Sequence, residues 1–427
     1  MAAVSGKRWW IVGACLAAAA LIAVAMVQIF GGNAPLAGSS SAPSSPSSST
    51  TSAPPSSATS APTSSASASS SASPSSGVKG LAAEKLAAMT LEQRVGQVLM
   101  VSSAVTGADQ NSLYALDTLF VGNVFMKGRS TAGQAGIGAE VAAITAHISG
   151  SRTVGVRPFV ATDQEGGFVQ IMRGPGFDEM PQAIEQGQLS PAALLSESTR
   201  WGQQLASVGV NVNLAPVLDT VPSAEFAPQN APIGTFGREY GYTPAAVSSH
   251  GLAFAQGMMA SGVEPTIKHF PGLGRVTLNT DVADGVTDDI TVRNDPYVAP
   301  FRDAVQAGVP WLMMSNAWYP KIDPSAMAPF SKVMVHDMVR GDLGFKGVIV
   351  SDDICDAVQV SALPVAQRGV EFIAAGGTMA LCTNQALLPQ MYSGLLERAQ
   401  TDPGFAEKVD AAALLVLQAK EAKGLID

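Results

Sequence analysis

Two adjacent carboxylates, Asp352 and Asp353, follow a short apolar run in the last third of the chain. The run occupies residues 347–350 (Gly-Val-Ile-Val), and Ser351 separates it from the carboxylates. A run that is apolar throughout is typical of a strand buried on both faces of a parallel sheet. In α/β folds the functional groups lie at the C-terminal ends of such strands, where a carboxylate can act as a nucleophile or general base. The structural alternative is a helix cap, since Ser and Asp after a strand also cap the next helix.

Polar side chains follow several other apolar runs in the same way. These groups lie at 163–167 (Asp-Gln-Glu-Gly-Gly), 213–219 (Asn to Asp), 268–272 (Lys-His-Phe-Pro-Gly), 315–316 (Ser-Asn) and 383–384 (Thr-Asn). Lys268 and His269 can both donate to sugar hydroxyls, although an internal salt bridge is an equal alternative for Lys268. Carboxylates, hydroxyls and amides with few histidines suit a neutral, hydroxyl-rich ligand. We therefore expect a sugar as the ligand, with no metal and no cofactor.

The elements that must position these groups alternate between apolar runs and helix-like stretches. The apolar runs span residues 97–103, 121–127, 158–165, 210–219, 264–271, 311–317, 347–353 and 378–384. The clearest amphipathic stretches span 192–208, 244–261 and 363–375. Strands that alternate with helices predict a parallel sheet, and eight of them in one domain predict a (β/α)8 barrel of the TIM type. No glycine-rich nucleotide-binding motif follows any of these runs, which argues against a dinucleotide site.

The N-terminal region differs in composition from the rest of the chain. Residues 1–8 include Lys7 and Arg8, and an uncharged run follows from Trp9 to Phe30. At about 1.5 Å per residue this run can cross a bilayer, so we expect a transmembrane signal-anchor with residues 1–8 in the cytoplasm. This predicts a single-pass protein of the cell membrane with its catalytic domain outside the cell. A cleaved signal peptide, giving a secreted protein, and a lipid anchor at Cys15 are the alternatives.

A stretch rich in serine, proline and alanine separates this run from the folded part. Residues 31–76 contain almost no large apolar side chains, so we expect a disordered linker there, and one catalytic domain over 77–427. The net charge is -9, and no basic run occurs beyond the N-terminus, which excludes a nucleic-acid partner. A monomer is expected. The three cysteines lack zinc-site spacing, but Cys355 and Cys382 follow neighbouring strands, so they are either a disulfide or two separate buried thiols.

Three of these segments together resemble glycoside hydrolase family 3. They are residues 161–167 (Ala-Thr-Asp-Gln-Glu-Gly-Gly), 267–272 (Ile-Lys-His-Phe-Pro-Gly) and 350–353 (Val-Ser-Asp-Asp). The similarity is to the single-domain bacterial β-N-acetylglucosaminidases of peptidoglycan recycling, and it extends over about residues 81–426. The resemblance implies a retaining mechanism with Asp352 as the nucleophile, and a sugar subsite formed by Asp163, Lys268 and His269. Asp353 is then expected to cap the following helix or to support Asp352.

The chain departs from the family pattern in the loop after the fifth predicted strand. The family has an Asp-x-His dyad there, whose histidine is the acid/base, whereas this chain has Asn279 and Asp281. We expect Asp281 to replace it, because partial burial can raise a carboxyl pKa toward neutrality. Asp284 and Asp288 compete for the role, and a solvated acidic loop without any catalytic role is the remaining alternative.

The arginines of the family also lie at shifted positions in this chain. Ile171 occupies the place of one of them, and Arg173 follows two residues later; Arg238 is the candidate for the other. We expect both arginines to bind the sugar. The sequence thus predicts an exported glycosidase of a divergent branch, which removes terminal β-linked N-acetylglucosamine from cell-wall fragments. The alternatives are a glycan-binding barrel with impaired catalysis and a β-glycoside phosphorylase.

Overall fold

A closed barrel of eight parallel strands forms the centre of the protein. The computed structural model describes residues 80–148 and 150–427. The strands are β1 (Leu99–Ala104), β2 (Asn123–Lys127), β3 (Phe159–Thr162), β4 (Gln164–Gly166), β5 (Val169–Gln170), β6 (Val212–Asn213), β7 (Glu264–Phe270), β8 (Trp311–Met314), β9 (Val348–Asp353) and β10 (Met379–Cys382). Around the barrel they lie in the order β1-β10-β9-β8-β7-β6-β3-β2, while β4 and β5 form a separate antiparallel hairpin. The predicted (β/α)8 barrel is confirmed.

Helices surround the barrel and join its strands. They are α1 (Leu81–Ala88), α2 (Leu91–Gln97), α3 (Gln110–Asp117), α4 (Gly133–Thr145), α5 (Ala183–Gln186), α6 (Pro191–Ser207), α7 (Pro244–Ala260), α8 (Ala299–Gln306), a π-helix (Val333–Asp342), α9 (Val365–Ala375), α10 (Leu388–Thr401) and α11 (Pro403–Ala422). Several of these helices begin at residues that are typical of helix N-termini. At α6, Ser190 accepts a hydrogen bond from the Ala193 N–H and Pro191 occupies the first turn, and α7 begins in the same way at Thr243.

The strand register places the polar ends of the strands at one mouth of the barrel. Ser351 of β9 pairs with Met314 of β8, and Asp353 of β9 pairs with Leu381 of β10. Residues 348–350 are fully buried, as expected for a strand covered on both faces. Because the strands are parallel, the side chains that follow β3, β7, β9 and β10 reach the same space.

The predicted membrane location is corrected by the structure. Within residues 80–148 and 150–427, no helix combines the length and the apolar character that crossing a membrane requires. The run from Trp9 to Phe30, on which the prediction depended, lies outside the described residues, as do residues 1–8 and the predicted linker at 31–76. The start of the catalytic domain at residue 77 stays a prediction.

Candidate active site

A cavity of about 340 Å³ opens at the C-terminal mouth of the barrel. Its wall contains six of the seven residues that the sequence singles out, namely Asp163, Arg238, Lys268, His269, Asp281 and Asp352. These side chains come from segments far apart in the chain. Asp163 follows β3, Arg238 follows β6, Lys268 and His269 lie at the end of β7 with Asp281 in the loop after it, and Asp352 lies at the end of β9. A cavity of this size accommodates one sugar ring with room for water.

Two carboxylates and two cations form the floor of the cavity. Lys268 Nζ lies 2.7 Å from Asp163 Oδ1 and 2.7 Å from Glu165 Oε1. Arg238 binds Glu165 through two hydrogen bonds, from Nε and one terminal nitrogen, each of 2.8 Å. We call Asp163, Glu165, Arg238 and Lys268 the floor quartet. Lys268 forms the internal salt bridge that was one of its two predicted roles, and it also lines the cavity, so binding of a sugar by Lys268 stays a prediction.

Two members of the floor quartet, Glu165 and Lys268, keep their charges although they are buried. Burial alone would raise the pKa of Glu165, but the charges of Arg238 and Lys268 outweigh it and lower that pKa to about 2. Burial alone would lower the pKa of Lys268, but Asp163 and Glu165 overcome this effect and raise it. Glu165 and Lys268 therefore stay charged at neutral pH, and Lys268 presents a fixed donor to a ligand in the cavity.

His269 is oriented by a buried carboxylate behind it. Its Nδ1 lies 2.7 Å from Asp219 Oδ2, and Asp219 Oδ1 accepts hydrogen bonds from the backbone N–H groups of His269 and Leu273. Because an ionised carboxylate only accepts, Nδ1 carries the proton in this pair. Within the described residues Nε2, on the opposite side of the ring, has no hydrogen-bond partner. That nitrogen is left for a ligand in the cavity.

Asp352 has the environment of a nucleophile rather than of a cap. Its Oδ1 accepts a hydrogen bond of 2.8 Å from the Asp353 N–H, and Oδ2 makes none in the part of the chain that the structure describes. Burial is the main cause that raises the pKa of Asp352 to about 6; the charge of Asp281 adds to it and His269 opposes it. Such a carboxylate is ionised at neutral pH but poorly stabilised, which makes it reactive.

Asp353 supports the structure around the nucleophile. Its Oδ1 accepts from the backbone N–H groups of Cys355 (2.9 Å) and Thr383 (3.1 Å), and its backbone oxygen accepts from Asn316 Nδ2. These bonds fix the turn after β9 and join it to the end of β10. The expected supporting role of the second carboxylate fits this geometry.

Asp281 lies at the rim of the cavity on the loop between β7 and α8. Its side chain is exposed on one side, yet desolvation by the surrounding protein is the main cause that raises its pKa; Arg238 and His269 act against it. The Asp281 N–H donates to Asn279 Oδ1 at 2.9 Å, so Asn279 fixes the local turn. Asp284 and Asp288 do not line the cavity. Asp288 instead accepts hydrogen bonds from residues 290 and 291 of its own loop.

The structure does not bring Arg173 to the cavity. Its guanidinium donates to the backbone oxygen of Gly167 at 2.6 Å and pairs with the exposed carboxylate of Glu179. These contacts hold the β4–β5 hairpin, so the shift of two residues from the family position moves the charge out of the site. Arg238 does reach the wall, as the sequence predicts.

Cys355 and Cys382 form a disulfide that joins the ends of β9 and β10. Of the two alternatives, paired cysteines or separate thiols, the structure has the pair. The bond lies three residues after Asp352, so it braces the turn that holds the nucleophile.

Three residues of the site were not assigned a role from the sequence. Glu165 anchors both cations of the floor, Asp219 orients His269, and Asn279 fixes the turn at Asp281. Glu165 and Asp219 are the last residues of two predicted strands. A carboxylate at that position in the sequence can indicate a buried acid that supports a site. Asn279 had a weaker signal, because it occupies a dyad position of the family.

The arrangement can bind a neutral sugar and attack it from one side. Asp163, Lys268 and His269 offer hydrogen bonds to hydroxyls, Asp352 offers an ionised oxygen, and Asp281 offers a second carboxyl whose pKa is raised. In the described residues, no group of three or more His, Cys, Asp and Glu side chains could hold a metal ion. Two carboxyls on either side of a sugar subsite are the requirement for glycoside hydrolysis.

Known proteins with the same pattern identify the family. The family model described as the glycosyl hydrolase family 3 N terminal domain matches residues 90–419. A β-hexosaminidase of Stenotrophomonas maltophilia (strain R551-3) is 30% identical over 285 residues, which are 64% of this chain and 78% of the relative.

Solved structures agree with this assignment. The β-N-acetylhexosaminidase of Beutenbergia cavernae DSM 12333 has a TM-score of 0.77 and 49% identity, with 78% of this chain and 99% of the other covered. A glycoside hydrolase family 3 β-N-acetylglucosaminidase from Paenibacillus sp. str. FPU-7 has a TM-score of 0.69 and 25% identity, with 79% and 63% covered. The predicted resemblance is confirmed: this chain belongs to glycosyl hydrolase family 3.

Proposed function

We propose that this protein is a retaining β-N-acetylhexosaminidase that removes terminal β-linked N-acetylglucosamine from cell-wall fragments. The family and its β-hexosaminidase relatives support the enzyme class. The observation that carries the mechanism is the position of Asp352. It is a partly buried carboxylate at the end of β9, with one oxygen unbonded among the described residues, in a cavity lined by hydroxyl-binding groups.

The first step forms a covalent intermediate. An Asp352 carboxylate oxygen attacks the anomeric carbon, the bond from that carbon to the leaving oxygen breaks, and Asp281 gives its proton to the leaving oxygen. In the second step Asp281, now ionised, takes a proton from water, whose oxygen attacks the anomeric carbon and releases Asp352. Asp163, Arg238, Lys268 and His269, which line the cavity, hold the sugar hydroxyls throughout, and this aligns the anomeric carbon with the nucleophile.

The productive state has Asp352 ionised and Asp281 protonated. Burial raises the pKa of both carboxyls, and the charge of Asp281 raises the pKa of Asp352 further. The rate should therefore follow a bell-shaped pH profile, as in other sites with two carboxyls that exchange roles.

The natural substrate and the compartment are further parts of the proposal. The resemblance to peptidoglycan-recycling enzymes supports a cell-wall fragment as the substrate. The disulfide between Cys355 and Cys382 supports export, because such bonds persist in oxidising compartments. Release of N-acetylglucosamine from purified muropeptides, compared with release from chitobiose at equal concentration, tests the substrate.

Hydrolysis of an aryl β-N-acetylglucosaminide tests the nucleophile. We expect Asp352→Asn to lose nearly all activity, whereas the control Asp284→Asn, on a carboxylate outside the cavity, should retain it. A 5-fluoro glycosyl inactivator should label the peptide that contains Asp352, as shown by mass spectrometry. Full activity of Asp352→Asn, or a label on another carboxylate, would refute the assignment.

The absence of the dyad histidine favours one alternative within the same cavity, which is phosphorolysis. A phosphate ion attacks the glycosyl-enzyme without needing a general base, so Asn279 and Asp281 would suffice for it. Product analysis with and without phosphate separates the two reactions, because phosphorolysis yields the sugar 1-phosphate and hydrolysis yields the free sugar.

A further inference from the structure

The loop that carries Asp281 is attached to the segment that follows the nucleophile. The Val358 N–H donates to the backbone oxygen of Asp281 at 3.2 Å, and the Gln359 N–H donates to that of Thr280 at 3.1 Å. The candidate acid and the candidate nucleophile therefore lie on two segments that are hydrogen-bonded to each other. We call residues 278–286 the acid loop and residues 354–360 the brace.

The side chain of Gln359 makes the most complete contact between the two segments. Its Oε1 accepts from the Val286 N–H at 2.9 Å, and its Nε2 donates to the Val286 oxygen at 3.0 Å. Gln359 is only 4% exposed and Val286 only 1% exposed, so water cannot readily replace these bonds. One amide thus satisfies both backbone groups of a residue at the far end of the acid loop.

The brace is itself held firmly to the barrel. The disulfide ties Cys355 to Cys382 at the end of β10. Arg368 of α9 donates to the backbone oxygens of Ile354 (3.1 Å) and Cys355 (2.6 Å), and Asn384 Nδ2 donates to Asp356 Oδ1 at 2.9 Å. Gln359 therefore links the acid loop to a segment, the brace, that is itself fixed to the barrel.

We propose that Gln359 is a positioning residue for catalysis, which holds Asp281 where it can protonate the leaving oxygen. This inference rests on the proposed function, in which Asp281 is the acid/base. Without the amide, the buried Val286 N–H loses its partner. The acid loop then keeps its two backbone bonds with the brace and the bond from the Trp318 N–H to the Val286 oxygen, none of which replaces that partner. A displacement of about 1 Å of a catalytic group costs up to about 100-fold in rate.

The dependence of the rate on the leaving group separates this role from simple destabilisation. A basic leaving group, as in chitobiose, needs a proton from Asp281, whereas 2,4-dinitrophenolate leaves without one. For Gln359→Ala we expect kcat/KM on chitobiose to fall about 10- to 100-fold. On the 2,4-dinitrophenyl glycoside we expect a change of less than about twofold, since no proton is needed.

A matched control is Gln385→Ala. Gln385 lies on the same face of the barrel and also makes two side-chain contacts, with Ser102 and Asp109, but none with the acid loop. It should leave the ratio of the two substrates unchanged. If Gln359→Ala proves insoluble, Gln359→Glu keeps the length and the acceptor atom but loses the donor, and it should show the same split to a smaller extent.

Asp281→Ala distinguishes failure of this inference from failure of the proposed function. If Asp281→Ala itself spares chitobiose, Asp281 is not the acid/base and both proposals fall. The acid/base role stands if Asp281→Ala lowers kcat/KM on chitobiose but not on the 2,4-dinitrophenyl glycoside, and azide restores its rate. If Gln359→Ala then lowers kcat/KM on both substrates equally, or on neither, the positioning role is overturned. A split in both variants, without one in Gln385→Ala, supports the positioning role.

Discussion

Replacing Asp352 by asparagine should stabilise the fold at neutral pH at the same time as it removes the nucleophile. The pKa of Asp352 in the folded protein is about 6, against 3.8 for a free aspartate, chiefly because of burial. Between these values the folded state binds more protons than the unfolded state, so stability decreases as the pH rises. Above pH 6 the ionised carboxylate imposes its full cost on the fold.

The size of this cost follows from the shift. A difference of 3.8 to about 6 corresponds to about 3 kcal/mol of unfolding free energy at pH 7.5. At pH 4, where the folded carboxyl is protonated, the cost is about 0.5 kcal/mol. An asparagine amide is neutral at both values, and its oxygen can still accept the hydrogen bond from the Asp353 N–H.

Urea unfolding of the wild type and Asp352→Asn at pH 7.5 and at pH 4 measures this difference. We expect the variant to be more stable by about 3 kcal/mol at pH 7.5 and by less than about 1 kcal/mol at pH 4. Asp353→Asn is the control with the opposite sign, because Asp353 Oδ2 accepts from the Asp356 N–H and the Thr383 hydroxyl, and an amide nitrogen in its place cannot accept. If Asp352→Asn is no more stable than the wild type at pH 7.5, the inferred burden on the nucleophile is refuted.

Three further predictions concern the residues around the nucleophile Asp352. In Asp281→Asn the basic limb of the residual kcat/KM profile on chitobiose should disappear, because that limb reports ionisation of the Asp281 carboxyl; a basic limb that persists at the wild-type pH would contradict this. Glu165→Gln should lower the unfolding free energy by about 3–5 kcal/mol, because it leaves buried cations uncompensated. Glu179→Gln, at an exposed ion pair, should lower it by less than about 1 kcal/mol. Equal losses for the two variants in denaturant titrations would argue against the floor quartet. Cys355→Ser should lower the unfolding free energy by about 3.5 kcal/mol, the value for a loop of 27 residues, and dithiothreitol should have the same effect on the wild type but none on the variant.

The barrel was predictable because its strands are buried on both faces. Each of the eight apolar runs in the sequence contains one barrel strand, and the carboxyl ends of those strands carry the site. The lengths were less predictable. The run at 210–219 gives only the two-residue strand β6, because Pro216 cannot donate to a ladder; pairing with β7 resumes as an isolated bridge between Val217 and Lys268. The hairpin of β4 and β5 was not separated from the third run, because β4 begins at Gln164, directly after Asp163, the polar residue that follows β3.

The wall of the cavity was more predictable than its support. Asp163, Lys268 and Asp352 were found because residue type and position at a strand end indicate chemistry together. The role of Gln359 depends on a partner 73 residues away and on burial, and neither leaves a pattern in the local sequence. The position of Arg173 has the same origin: it lies beyond the end of β5, where its guanidinium binds the Gly167 oxygen and the Glu179 carboxylate, and no local pattern indicates those partners.

The floor quartet also limits how this chain can change by mutation. Its two cations and two carboxylates balance, and Glu165 Oε1 is shared by Lys268 and Arg238. Any single substitution that removes one of these charges leaves another charge without a partner. A substitution at one of these positions is therefore destabilising unless a partner residue changes with it. Pairs of substitutions in this quartet should thus be strongly non-additive, and the four positions should be inherited as a unit even in relatives whose acid loop has diverged.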